Sequence, residues 1–419
     1  MERLVVREVA ALSGRALPLL RSWQAEQPEC GVARALLVLQ TSGGMSDEAL
    51  KVELVAAFEA AQAAGAREAS VVYGIFLYTH RQYPLAAEHL LAHFAQWPGD
   101  EAAALMLGAF SACTGPGYRQ RGDALVEEQY ALAGPESWPW AGWKAWTRVE
   151  QGRTEDAHQL AEHTLGLYPR SGVAAHARTH AEHEQGAGTA AIAFLDGWLA
   201  GDPQAVQFRH LNWHAALQSL SCGDFADARR RADEVLTRAD VGMQAATNWR
   251  LLLAGQAPAR LSDLTHVREL LAAPGGMAEV FHTFNLALAL ACEAATDDLE
   301  ALAGRAGADE RPEFRDVLAP VVQALAWVTA GRPGRAVKLL AGLGGQVEAL
   351  GGVRVEREIV QDTLARALID AGDPARAAAL LHERVTARRH HTYEDLLLTS
   401  RTPATRMPAQ PHSHPVPTR

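Results

Sequence analysis

The feature that most constrains this chain is a recurrence. Gly152, Ala157 and Pro169 reappear as Gly186, Ala191 and Pro203, all shifted by 34 residues. A period of that length belongs to helical hairpins that stack on one another. An earlier stretch carries a fuller version in Gly74, Tyr83, Ala86, Leu90 and Pro98. Gly108, 34 residues after Gly74, suggests the next unit, loosened around Gly115-Pro116-Gly117. Gly223, Phe225 and Ala228 continue the pattern 37 residues after Gly186 and Ala191, and Gly331 and Ala336 return 41 residues later as Gly372 and Ala377.

Each landmark has a physical task. A glycine ends the first helix of a hairpin, where φ > 0 is often required. Alanines let the two helices approach closely. Proline stops the second helix, because it lacks an N–H and clashes with the preceding turn. Each hairpin leaves an apolar face that its neighbour must cover. Leu364, Ala367, Leu368 and Ala371 show the matching helical spacing. The reading is therefore all-α: an α-α superhelix, a tetratricopeptide-like solenoid of stacked helical hairpins over residues 1–400. A looser joint is expected near 254–274, which Gly and Pro punctuate. The tail, 401–419, contains five prolines and is expected to be disordered.

Composition agrees. Hydrophobic residues make up 48% of the chain and aromatics 6%, as suits helices packed through small side chains. The net charge of −10 gives no footprint for nucleic acid. The one basic clump, Arg384 to His391, reads as a solvated helix end. Cys30, Cys113, Cys222 and Cys292 are far apart without a CxxC, and read as buried free thiols in a reducing compartment. No apolar run reaches the ~20 residues that span a bilayer, and the start of the chain carries charges within its apolar pattern, unlike a signal peptide. The expectation is a cytoplasmic protein with no membrane partner.

The chemistry concentrates in histidines. His176 and His180 are four apart, as are His210 and His214, so each pair shares a helix face. Both pairs fall on first helices, which line the concave wall of such a solenoid, about 8–10 Å from one another. Three readings stand side by side. The rings could be polar residues hydrogen-bonded to their neighbours. With Trp213, Arg357 and Glu358 they could hold an anionic or amide-bearing ligand or a peptide terminus. They could instead supply three or four nitrogens to Zn²⁺ or a similar divalent ion, with Glu182 or Glu184 beside them as support or base. There is no HExxH, since Ala177 and Arg178 follow His176.

Other features carry less. Trp138, Trp140, Trp143 and Trp146 read as core packing of one repeat. His89 and His93 form another four-residue pair, but on a second helix, and read as surface. Gly344-Gly345 and Gly351-Gly352 do not form a phosphate loop, and no G-x-S-x-G or clear Ser/His/Asp arrangement is evident.

The strings AAHARTHAEHEQG, HLNWHAAL and GDFADARRRADEVL carry a more specific likeness. Through His176, His180, His210, Trp213, His214, Gly223, Asp224, Phe225 and Ala228 the chain resembles the tetratricopeptide repeat protein 38 family. LGGVRVEREIV extends the likeness through Gly351, Gly352, Arg357 and Glu358. The similarity runs loosely from about residue 20 to 400. It departs at His183, where the family has an acidic residue, at Leu211 in place of an asparagine, and near Asn285, where a family histidine falls, with His282 close by. The candidate ligand-binding residues are His176, His180, His210, Trp213, His214, Asn285, Arg357 and Glu358.

The resulting expectation is a binding protein without catalysis, taking a peptide, a protein segment or a small ligand in its concave groove, with no cofactor. The rival is a metal-dependent hydrolytic or lytic enzyme, with His176, His180, His210, His214 and Glu184 as its candidate catalytic residues.

Overall fold

Five of the glycines picked out by the recurrence sit in the left-handed region: Gly152, Gly186, Gly223, Gly331 and Gly372 have φ of +72°, +61°, +79°, +68° and +83°. Each ends a first helix and turns the chain into the second. Arg81 and Ala294 make the same turn at φ +56° and +52°, an uncommon conformation for residues with a Cβ. The alanines that follow the glycines, Ala157, Ala191, Ala228, Ala336 and Ala377, are fully buried, which lets paired helices approach closely.

A computed structural model describes residues 1–112, 116–260, 262–273 and 275–399. Cys113 and the tail, 401–419, lie outside them. The described residues form helices with no strand. Trp138–Glu150 pairs with Thr154–Leu167, Gly172–Glu184 with Thr189–Gly201, and Phe208–Cys222 with Phe225–Glu234. The result is an all-α solenoid of stacked hairpins. Between Val241–Leu253 and Leu264–Ala272 the described residues form no helix, while Val241–Leu253 packs directly on Val280–Cys292. One apolar core continues through Ala254, Ala259 and Val267 from Trp213 to Leu397.

First and second helices differ in burial. Thr189–Gly201 buries Ala191, Leu195 and Leu199, whereas the preceding Gly172–Glu184 is buried along most of its length. The cause is that the inner curve is filled. The Arg354–Asp370 helix packs on Val241–Leu253, and Thr392–Thr399 packs on Phe208–Cys222. Trp249 donates its indole N–H to Thr363 Oγ1 at 2.9 Å, and Arg250 donates to the Val355 carbonyl at 2.7 Å.

This closure corrects the reading of Arg384 to His391 as solvated. Arg384 and Arg388 are buried. Arg388 donates to Glu358 at 2.6 Å and to Glu394 at 2.7 Å, while Arg384 reaches Glu358 and Asp362. Tyr393 adds its hydroxyl to Asp362. The acceptors lie 22 to 30 residues away from the arginines on another helix, or six residues ahead on a short one, so a reading of local charge alone misses them.

Both ends of the chain brace the two helices that carry the paired histidines. At their start, Gly172 donates its N–H to the Ala11 carbonyl at 2.7 Å, and Val206 donates to Leu12 at 2.9 Å. Asp202 accepts from the Gly14 N–H. At their far end, Arg389 and His390 donate to the carbonyls of Gln185 and Gly186. No helix of the described residues is long and apolar enough to cross a membrane.

Candidate metal centre

Ser171 caps the first histidine helix, Gly172–Glu184, by accepting from the Ala174 N–H. The second, Phe208–Cys222, ends on Gly223 in the left-handed region. The two lie side by side, so His176 and His180 face His210 and His214. Nε2 of His176 faces the Nε2 atoms of the other three rings. The Nε2 atom of His176 lies 2.9 Å from that of His180, 2.9 Å from that of His210 and 3.0 Å from that of His214. His210 and His214 are 3.1 Å apart by the same atoms.

Hydrogen bonding cannot satisfy this arrangement. A ring nitrogen offers either one proton or one lone pair. Nε2 of His176 can therefore make one good bond with its three neighbours, and the remaining contacts set lone pair against lone pair or proton against proton. Protonating the rings does not help, since that brings buried positive charges together. Burial pushes His176, His180 and His214 well below the usual histidine range, and the neighbouring imidazoles push them further. Burial also lowers His210, to about 4, against an opposing pull from Asp240. The rings are neutral at pH 7, the state that ligates a metal. The ring nitrogens of His176, His180 and His214 all lie within 4.8 Å of one another, and this group could hold a metal ion. His210 Nε2 lies 2.9 Å from that of His176 and 3.1 Å from that of His214, beside this group of three.

The surroundings are aromatic. Trp146 packs on His176 and His180, with ring centroids 4.6 and 5.0 Å away. Trp138 and Trp140 are buried as the core reading expects, but Trp146 instead walls the histidine cluster. Trp213 lies 4.9 Å from His214. The Nδ1 atom of His214 and the indole nitrogen of Trp213 are buried without a hydrogen-bond partner among the described residues.

The other candidates are placed as follows. Glu182 accepts from Arg178 at 2.9 Å and pairs with His158. Glu184 pairs with Arg354 and Arg388. Glu358 is committed to Arg384, Arg388 and His183. Burial alone would raise its carboxyl, but Arg388 and Arg384 hold it well below the usual range. Arg357 donates to the carbonyls of Gly351 and Gly352. Trp213 and Asn285, by contrast, join His210 around a cavity of about 210 Å³. Glu356, which the sequence reading did not select, lines the same cavity. It accepts from the Val353 N–H at 2.8 Å, and burial pushes its carboxyl up to about 7. A glutamate three residues into a helix is a sequence signal for such a cap, but nothing local shows that this helix crosses to the histidines.

A second histidine pair corrects an expectation. His93 is 1% exposed, so it is not a surface residue. Its Nδ1 meets Ser70 Oγ at 2.8 Å, and its Nε2 meets Asp100 at 3.1 Å. This Ser–His–Asp chain was not evident from sequence. Asp100 also takes Arg67 and the Ala102 N–H, which makes it a helix cap within an ion pair.

The chain matches no family model and no curated protein.

Proposed function

We propose that this protein is a metal-dependent enzyme of hydrolytic or lytic type, with His176, His180 and His214 as ligands and His210 beside them. One observation carries the reading: Nε2 of His176 faces three other Nε2 atoms at 2.9–3.0 Å, and no distribution of protons satisfies them together. A cation held by His176, His180 and His214 would take up lone pairs that no proton can.

Neutral imidazole nitrogens suit zinc, iron, nickel or copper, and such an ion would polarise a substrate oxygen or lower the pKa of a bound water.

The reading of a peptide in a concave groove has less support, because Arg354–Asp370 occupies the inner curve. Membership of the tetratricopeptide repeat protein 38 family belongs to the same proposal, supported by the contact between the histidines of the strings behind the resemblance. So does a cytoplasmic location, which suits the free thiols of Cys30, Cys222 and Cys292.

Elemental analysis of purified protein tests the proposal. Near-stoichiometric transition metal, lost in a His180→Ala/His214→Ala double variant that still folds, is the expected result. Protein that binds no transition metal when supplied with it during expression and after purification would retire the reading.

A further inference from the structure

Most carboxylates around the histidine cluster are held by arginine. Glu182 accepts from Arg178, Glu184 pairs with Arg354 and Arg388, Glu358 takes Arg384 and Arg388, and Asp240 pairs with Arg209 at 2.8 Å. A guanidinium favours the charged form of its carboxylate and so makes it a weak base. Glu356 differs. Its Oε2 accepts from the Val353 N–H at 2.8 Å, and it forms no ion pair with an arginine among the described residues.

The loop before Glu356 is shaped to seat it. Gly352 has φ +66°, and a Cβ there would come within 2.7 Å of Glu356 Oε2 and 2.5 Å of the Phe281 ring. A side chain at 352 would displace both from the wall of the 210 Å³ cavity, which they share with His210 and Asp240. Glu356 and His210 are each only partly buried, as residues open to a cavity should be. His210 carries the cavity to the cluster, with its Nε2 2.9 Å from that of His176 and 3.1 Å from that of His214. Burial and Glu150 favour the neutral form of the Glu356 carboxyl, while Arg357 and Arg250 oppose them, and the balance falls at about 7. A carboxyl so poised can both take and give a proton at neutral pH.

We infer that Glu356 is the general base of the proposed metal centre, on the far wall of the cavity that opens at His210. In hydrolysis of a bond X–Y, a water oxygen bonds to X as one of its protons passes to the Glu356 carboxylate. The X–Y bond then breaks, and the same proton passes from Glu356 to Y. The products are X–OH and H–Y, and the carboxylate is restored. This role rests on the proposed metal centre, and it moves the base from Glu184, which two arginines hold, to a residue free of them.

Infrared titration of full-length protein, read as the difference between wild type and Glu356→Gln, tests it through the carbonyl band of the protonated acid. The substitution keeps an acceptor for the Val353 N–H, so the fold should persist, and the difference separates this carboxyl from Glu150. Glu356→Asp supplies a second difference should the first variant not fold. In metal-free protein the carboxyl should ionise at about pH 7. Zn²⁺ should lower that midpoint by about one unit or more, because a cation across the cavity favours the carboxylate. It should leave the midpoint unmoved in a His180→Ala/His214→Ala double variant. A carboxyl already ionised at about pH 5 without metal, or an unmoved midpoint in protein shown by elemental analysis to hold zinc, would overturn the base and leave the metal centre standing. Zinc lost from Glu356→Gln as fully as from the double variant would also overturn it, by making Glu356 a ligand. A midpoint at about 7 in protein that binds no zinc would retire the metal centre, and the base with it.

Discussion

His89 and His93 share a helix face at the spacing of His176 and His180, yet the two pairs meet opposite surroundings. The first pair faces a hydroxyl, a carboxylate and a guanidinium: Ser70, Asp100 and, behind it, Arg67. Every proton there has a place to go. The second pair faces more imidazoles. What separates a structural histidine from a candidate ligand is thus the complement across the interface. Four-residue spacing places two rings on one face; whether they want a metal depends on whether the opposite face brings an acceptor or another lone pair.

The largest test of this difference is metal content. His176→Ala removes the nitrogen that touches the other three, and should abolish metal binding or weaken it by more than about 100-fold. His93→Ala should leave the metal content of folded protein unchanged. Metal lost equally from both variants would erase the contrast.

Acid should come next in size. The four clustered rings are depressed below an ordinary value of 6.5, His210 to about 4. The unfolded chain then binds protons that the folded, metal-free chain refuses. Stability contributed in this way is complete above about pH 6.5 and is lost as pH falls through 6.5 towards 4. At about 1.4 kcal/mol per unit, His210 alone accounts for a loss on the order of 3 kcal/mol. Denaturant unfolding of chelated protein between pH 7.5 and 4.5 reads this directly. His176→Phe should flatten the profile, and a variant with the wild-type slope would show that the cluster is not its source.

How far the sequence foretold these sites depends on how local their determinants are. The hairpin register was legible because Gly152, Gly186 and Gly223 each act on their own turn, and because Ala157, Ala191 and Ala228 pack within their own hairpin. The meeting of His176 and His180 with His210 and His214 was legible because neighbouring hairpins stack at a fixed offset. Contacts made by closure of the chain were not. Glu358 meets His183 across 175 residues, and Glu356 arrives on the same helix. Nothing in the local pattern announces that this helix turns inward. His93 failed for a smaller reason. Its carboxylate lies just beyond Pro98 and Gly99, where the chain turns back, and second helices were read as facing outward.

Stability of the partnered pair comes third. His93→Ala leaves Asp100 and Ser70 without their buried partner, and breaking a buried charged contact from one side costs about 3 kcal/mol. The loss is moderated if Arg67, which stays on Asp100, takes up the freed lone pairs. His176→Phe in chelated protein should cost much less, or stabilise, because it removes one of four mutually unsatisfied rings and fills the space against Trp146. Opposite outcomes in paired chemical denaturation would show that the clustered rings are the better satisfied set.

The smallest effect belongs to Ser70. Its hydroxyl lies 2.8 Å from His93 Nδ1 and 3.2 Å from His89 Nε2, and a single hydroxyl proton can serve one of them. His89 Nε2 also reaches the Ser70 carbonyl at 2.8 Å, a better partner, so His89 is its donor. The hydroxyl is then left to His93, whose Nδ1 accepts while Nε2 carries its proton to Asp100. Ser70→Ala removes one acceptor's partner and nothing else, which should cost about 1–2 kcal/mol without changing metal content. A loss as large as that of His93→Ala would mean that the serine, rather than the carboxylate, sets the tautomer, and that a hydroxyl alone suffices to keep a histidine from seeking a metal.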